Sequence, residues 1–193
     1  MVNIAIFASG SGSNFERIVR AKMSGEADGY IIKLLIVDKE DAFAVERAKM
    51  LGVKYRVVNP KDFISKKEFE LNIIEILKQE IVDYIVLAGY MRIISSTLLN
   101  EYTHKIINIH PAYLPEFPGK DGIKDAFDAK VKQTGITIHF VDNGIDTGEI
   151  IYQERLKIDS NWNLNDLRKE IHNIEHKIYP IVLTRLFKKG ENR

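Results

Sequence analysis

The chain predicts an α/β fold: a mostly parallel seven-stranded sheet with helices on both faces and one antiparallel strand near an edge. Three observations carry this. Short apolar runs of strand length alternate with helix-length amphipathic stretches along nearly the whole sequence. The first run, Val2–Ala8, empties into Ser9-Gly10-Ser11-Gly12-Ser13, a tight turn that opens onto a helix. The last two strands have no full helix between them, so one strand there must run backwards. The arrangement is Rossmann-like, and ligands in such sheets sit beyond the carboxyl ends of the strands, where strand order reverses.

Each element has its own warrant. A helix over 14–22 follows the first turn, with Ser11 or Ser13 available to cap it. A second strand covers 31–37, and a helix over 42–51 stops at Gly52. A shorter strand spans 55–58. Ser65 followed by Glu68 resembles a capping box, with Phe69, Ile73, Ile76 and Leu77 as a helical stripe behind it. A fourth buried strand over 82–88 leads to a short helix over 95–102, and Ile106–His110 is the fifth strand. After a loop of Pro, Phe and Gly comes a helix over 123–129. Residues 135–140 alternate cleanly, with Ile136, Ile138 and Phe140 opposite Thr137 and His139. A last strand spans 150–156, and a long helix runs from 164 to about 188, crossing Pro180.

The composition bounds the function. At 193 residues the chain holds one sizeable core, and no linker or repeat divides it, so residues 1–193 are expected to form a single domain. A net charge of +1 leaves no electrostatic footprint for nucleic acid or an acidic membrane. Cysteine is absent, which removes disulfides, thiolate nucleophiles and zinc–thiolate sites. The amino terminus enters a strand directly, without a signal-like apolar region, and no stretch approaches membrane-spanning length. A cytoplasmic protein is the expectation, with no oligomeric state assigned.

Three stretches carry chemistry. In Asn108-Ile109-His110-Pro111 an amide and an imidazole, two residues apart, share one side of a strand's end. A hydrogen-bond donor beside a titratable base suits acyl transfer. Alone, the pair reads equally as a satisfied core histidine beside a turn asparagine. Gly10-Ser11-Gly12-Ser13-Asn14 places glycines and a helix start where backbone amides can meet a phosphate. A dinucleotide site is the rival here, with Asp38 imitating a ribose-binding acid, but Phe15 stands where the third glycine belongs. Finally, the glycine-rich acidic loop 142–149 follows His139 and is expected to carry Asp146 toward His110, where a carboxylate stabilises a protonated imidazole. His139 by itself reads best as a structural histidine bonded to neighbouring backbone. His172 and His176 are four apart on the last helix, but two ligands are too few for a metal site.

With these stretches in place, the chain resembles the phosphoribosylglycinamide formyltransferases of purine biosynthesis, folate-dependent formyltransferases, along essentially its whole length. The resemblance rests on Ser9-Gly10-Ser11-Gly12-Ser13-Asn14, Leu87-Ala88-Gly89-Tyr90-Met91-Arg92, Asn108-Ile109-His110-Pro111 and Gly135-Ile136-Thr137-Ile138-His139-Phe140-Val141. It closes with Asp146-Thr147-Gly148 and Glu175-His176-Lys177-Ile178-Tyr179-Pro180. It implies transfer of a formyl group from N10-formyltetrahydrofolate, a co-substrate, to the amine of glycinamide ribonucleotide, with no metal. Under it, Asn108, His110 and Asp146 fall on the catalytic trio. Gly12, Ser13 and Asn14 match the substrate-phosphate loop, and Glu175 the acid on the ribose hydroxyls. Met91, Arg92, Ile93 and Ile94, with Asn108, match the folate pocket, and Lys66 stands where a basic residue, often arginine, assists folate binding. Lysine lacks arginine's planar fork. Related enzymes acting on methionyl-tRNA carry an added carboxyl-terminal domain, and formyltetrahydrofolate hydrolases an added amino-terminal one. Neither is expected here.

Overall fold

The computed structural model describes residues 1–190. Its sheet has seven strands in the order β3-β2-β1-β4-β5-β6-β7: β1 (Val2–Ala8), β2 (Tyr30–Val37), β3 (Tyr55–Val57), β4 (Tyr84–Leu87), β5 (Ile106–His110), β6 (Gln133–Phe140) and β7 (Ile150–Lys157). The first five run parallel, and β6 pairs antiparallel with both β5 and β7. One reversed strand beside the edge is therefore the observed arrangement, as the missing helix between the last strands required. Five helices lie between successive strands, α1 (Ser13–Met23), α2 (Phe43–Leu51), α3 (Lys66–Gln79), α4 (Ser96–Glu101) and α5 (Gly122–Asp128), and α6 (Leu164–Gly190) follows β7.

The central strands are apolar on both sides because both faces are covered. Ile4, Ile6 and Ala8 of β1 point into a core built with Phe15, Ile18, Ala44, Leu167, Tyr179 and Leu183, from α1, α2 and α6. Ala5 and Phe7 point the other way, against Phe69, Ile73, Leu77 and Leu98 of α3 and α4. Each large side chain fully buried in this way stabilises the fold by about 1.5–3 kcal/mol. α6 runs through Pro180, whose carbonyl accepts from the Thr184 hydroxyl at 2.9 Å.

Local signals behaved unevenly. Ser65 caps α3 by accepting from the Glu68 amide at 3.1 Å, and Glu68 reaches back to the amide of Ile64 at 3.1 Å, one residue outside the usual box partner. Gly52 ends α2 in the left-handed conformation. The serine cap on α1 did not form. Its cap residue is Gly12, φ +70°, with no side-chain hydrogen bond. A single 3-10 turn, Pro60–Asp62, breaks what reads as plain loop, with Asn59 accepting from the Lys61 amide at 3.0 Å.

Candidate active site

Strand order reverses between β1 and β4, and a crevice of ≈ 750 Å³ opens beyond the carboxyl ends of β1, β4 and β5. Its floor and walls come from the turn after β1, the segment after β4, the end of β5, the loop after β6 and one turn of α6.

The turn after β1 is built to bring backbone close to a ligand. A Cβ on Gly12 would lie 2.6 Å from the Ala44 Cβ, so only glycine lets the turn sit against α2. The Ala44 amide donates to the Gly10 carbonyl at 3.1 Å, and Arg47 Nε to the Ser11 carbonyl at 2.7 Å, tying the turn to the start of α2. With no side-chain cap, the first amides of α1 keep their donors for an anion. Asn14 Nδ2 donates to Glu175 Oε2 at 3.0 Å, and His172 Nδ1 meets the same oxygen at 2.9 Å. That hydrogen bond outweighs burial and holds the His172 imidazolium above its ordinary range. Glu175 is buried, yet its carboxylate edges the crevice beside the turn.

On the other side four polar side chains meet. Asn108 and His139 are cross-strand partners on β5 and β6, with Asn108 Nδ2 3.3 Å from His139 Nε2. His110 Nδ1 lies 3.4 Å from Asp146 Oδ2, and His139 Nε2 lies 3.5 Å from Asp146 Oδ1, so the carboxylate bridges the two rings. The remaining nitrogens donate to backbone: His110 Nε2 to the Phe117 carbonyl and His139 Nδ1 to the Phe140 carbonyl, both at 2.8 Å. A carbonyl can only accept, so His110 Nε2 carries a hydrogen. Its other nitrogen faces a carboxylate, an arrangement that also suits an N–H.

Asp146 arrives on a rigid loop. Asp142 Oδ1 accepts from the Gly144 amide at 2.9 Å and the Thr147 hydroxyl at 2.8 Å, and a Cβ on Gly148 would strike the Phe140 carbonyl at 1.8 Å. Asp146 itself takes φ +55°, and its Oδ2 accepts from the Gly119 amide at 2.8 Å. Burial pushes its carboxyl up, but the His139 contact, the Gly119 amide and the charges of both imidazoles outweigh it and hold the carboxyl below its ordinary range.

The segment after β4 is strung between buried anchors. The Met91 amide donates to Ser9 Oγ at 3.0 Å, and Arg92 Nε to Asp38 Oδ2 at 2.7 Å. At its far end Glu70, 2% exposed, accepts from the amides of Ser95 at 2.8 Å and Leu98 at 3.2 Å and from the Ser95 hydroxyl. Met91 and Ile93 are left exposed along the crevice wall.

Of the residues singled out in the sequence, Gly12, Ser13, Asn14, Glu175, Met91, Arg92, Ile93, Ile94, Asn108, His110 and Asp146 all line this one crevice. Lys66 does not. It opens α3 and lines a second groove of ≈ 530 Å³, which shares the Met91–Ile94 wall. Asp38 is buried and paired with Arg92 rather than open to a ribose, which removes the acid that a dinucleotide site needs. Among the described residues no three His, Cys, Asp or Glu side chains are grouped to hold a metal. Sequence reasoning missed His139 as a member of the cluster; it makes the expected backbone bond and also faces Asp146. Alternation put it on one side with Thr137, but only the β5–β6 register sets it opposite Asn108. The Phe117 carbonyl and Gly119 amide were missed as well, because backbone groups leave no mark in side-chain chemistry.

Comparison with known proteins agrees with this geometry. Residues 2–183 match the family model described as formyl transferase. The phosphoribosylglycinamide formyltransferase of Bacillus subtilis (strain 168) is 47% identical over 186 residues, covering 96% of this chain and 95% of its own. Among solved structures, glycinamide ribonucleotide transformylase 1 from Geobacillus kaustophilus superposes with a TM-score of 0.94 at 46% identity, over 97% of this chain and 99% of that one. Phosphoribosylglycinamide formyltransferase from Bacillus halodurans gives 0.94 at 44% identity, over 98% and 97%. A family match across nearly the whole chain, and close relatives of the same length, leave one conclusion: the chain belongs to the formyl transferase family.

Proposed function

We propose that this chain, as a single domain, transfers a formyl group from N10-formyltetrahydrofolate to the amine of glycinamide ribonucleotide, the transformylation step of purine biosynthesis in the cytoplasm. One observation carries the reading. The uncapped phosphate turn and the Asn108–His110–His139–Asp146 cluster open onto the same crevice, so a phosphorylated amine and an acyl donor can be held side by side. The relatives' names supply the acceptor and the formyl group, and the resemblance of the sequence motifs supplies the folate donor.

In this reading the phosphate of the ribonucleotide rests on the backbone of Gly12, Ser13 and Asn14, and Glu175 accepts from the ribose hydroxyls. The folate lies along residues 91–94. The amine attacks the formyl carbon directly, and the carbonyl oxygen becomes a tetrahedral oxyanion. Asn108 directs an amide N–H at that oxygen, and a protonated His110 supplies the opposing charge. Losing one such donor costs about 2.7–4 kcal/mol of barrier in a preorganised site. Asp146 holds His110 in place and orders a water that carries the amine's proton to N10 as the C–N bond to the folate breaks. No enzyme nucleophile is required. Alignment of the two substrates contributes further, on the order of 7 kcal/mol where the near-attack geometry is good.

The test is a steady-state assay with synthetic glycinamide ribonucleotide and N10-formyltetrahydrofolate, followed at the absorbance of the deformylated folate. Turnover that requires both substrates, and that falls by about 100-fold or more in Asn108→Ala with the fold intact, supports the proposal. Absence of transfer by the folded wild-type protein refutes it.

A further inference from the structure

The row of residues that crosses the sheet at His110 continues outward to the edge. His110 on β5 pairs with Thr137 on β6, and Thr137 pairs with Gln153 on β7. Side chains opposite each other across a sheet share a face. Here all three point toward the loop that leaves His110 and returns to α5.

Thr137, fully buried, has every hydrogen-bonding option of its hydroxyl in use. It donates to the Ala112 carbonyl at 2.8 Å and accepts from the Leu114 amide and from Gln153 Nε2, both at 3.0 Å. The second hydrogen of the Gln153 amide goes to the Leu114 carbonyl at 2.8 Å. Between the strapped residues lies Tyr113, whose ring is covered by the Arg155 guanidinium at 3.7 Å, again from β7. The base of the loop is thus bound to the sheet edge by three hydrogen bonds and one cation–π contact, and the Gln153–Thr137 bond ties the two anchoring side chains together.

Two groups a few residues further on reach the reacting cluster. The Phe117 carbonyl receives His110 Nε2, and the Gly119 amide holds Asp146 Oδ2. Neither is a side chain, so their positions follow the course of the loop backbone. Gln153 itself lies outside the crevice.

We propose that Gln153 is a positioning residue for formyl transfer: with Thr137 it pins the loop whose Phe117 carbonyl and Gly119 amide orient His110 and Asp146. The inference rests on the reading of that pair as part of the reacting centre. Gln153 touches no substrate; it acts two steps away, through Leu114 and the loop backbone. A displacement of about 1 Å at a reacting group can cost on the order of 100-fold in rate, so a loosened strap is felt in turnover before it is felt in binding.

The experiment compares wild type with Gln153→Leu, using ring-15N-histidine NMR of the substrate-free protein alongside kcat and both KM values. The chain has five histidines, and His172 and His176, both on α6, serve as controls. The expected result is a changed His110 ring signal with unchanged controls, a kcat about tenfold lower and KM values within about twofold. An unchanged His110 signal, an unchanged kcat, or a loss confined to KM overturns the proposal. If Gln153→Leu does not fold, Gln153→Glu keeps the length, deletes both donors and is held to the same outcomes. The NMR arm needs no substrate, so it judges the strap even if the wild-type protein were to fail the formyl-transfer assay.

Discussion

Replacing Asp146 by asparagine removes one charge while keeping an oxygen that can accept from the Gly119 amide. The carboxylate it replaces is mostly buried, 3.4 Å from His110 Nδ1 and 3.5 Å from His139 Nε2. At an effective dielectric of about 20, a unit charge pair at that distance is worth roughly 5 kcal/mol. The amide dipole of asparagine and local relaxation recover part of this, leaving a loss of about 2–3 kcal/mol at the charged transition state. That corresponds to a rate decrease of roughly 30- to 150-fold. The phosphate turn and Glu175 are untouched, so KM for glycinamide ribonucleotide is expected to stay near its wild-type value. The assay is steady-state turnover near neutral pH on protein whose melting curve shows a native fold. A kcat within about threefold of wild type would refute the electrostatic role given to Asp146, since a factor of three is under 1 kcal/mol.

Three further outcomes follow from the same structure. Because the folded state holds the Asp146 carboxyl below its unfolded value, its contribution to stability is complete above about pH 4 and disappears as pH falls through the folded value. The stability gap between wild type and Asp146→Asn, read from urea midpoints, should shrink from pH 6 to pH 3; a constant gap contradicts the assignment. Glu70→Gln turns a side-chain amide NH2 toward a helix amino terminus that needs acceptors, at a cost of about 1–3 kcal/mol. The melting temperature should drop by roughly 3–9 °C, with KM for the folate rising more than KM for the ribonucleotide; calorimetry and kinetics decide it. Gly12→Ala forces a Cβ at φ +70° to within 2.6 Å of the Ala44 Cβ, so the phosphate turn must move. Its KM for the ribonucleotide should rise while KM for the folate holds, and equal effects on both would argue against a phosphate role for the turn.

Much of the fold was legible because it depends on local pattern. The seven strands and six helices follow from apolar periodicity and from Gly52, Ser65 and Ser95 as boundary residues. The reversed strand followed from the short connection between residues 140 and 150. Where the reading failed, a tertiary contact overrode a local preference. Ser11 and Ser13 are good caps in isolation, but the turn is pulled onto α2 by Ala44 and Arg47, and Gly12 takes the cap position instead. Asp38 sits where a ribose-binding acid would, yet Arg92, 54 residues away, claims it.

The chain's letters alone determined which chemistry is present: an amide and an imidazole on one side of β5, an acid on a stiff loop, and a glycine turn ahead of a helix. These are properties of short windows, where spacing of two or four residues decides which way a side chain points. The tertiary structure decided which of those groups meet. Sheet register set His139 opposite Asn108 and Thr137 between His110 and Gln153. Chain packing placed Lys66 in a neighbouring groove and lent a carbonyl and an amide from the 111–119 loop to His110 and Asp146. Such pairings depend on contacts between residues distant in sequence, and a backbone donor or acceptor is the same at every position, so no local motif could reveal them.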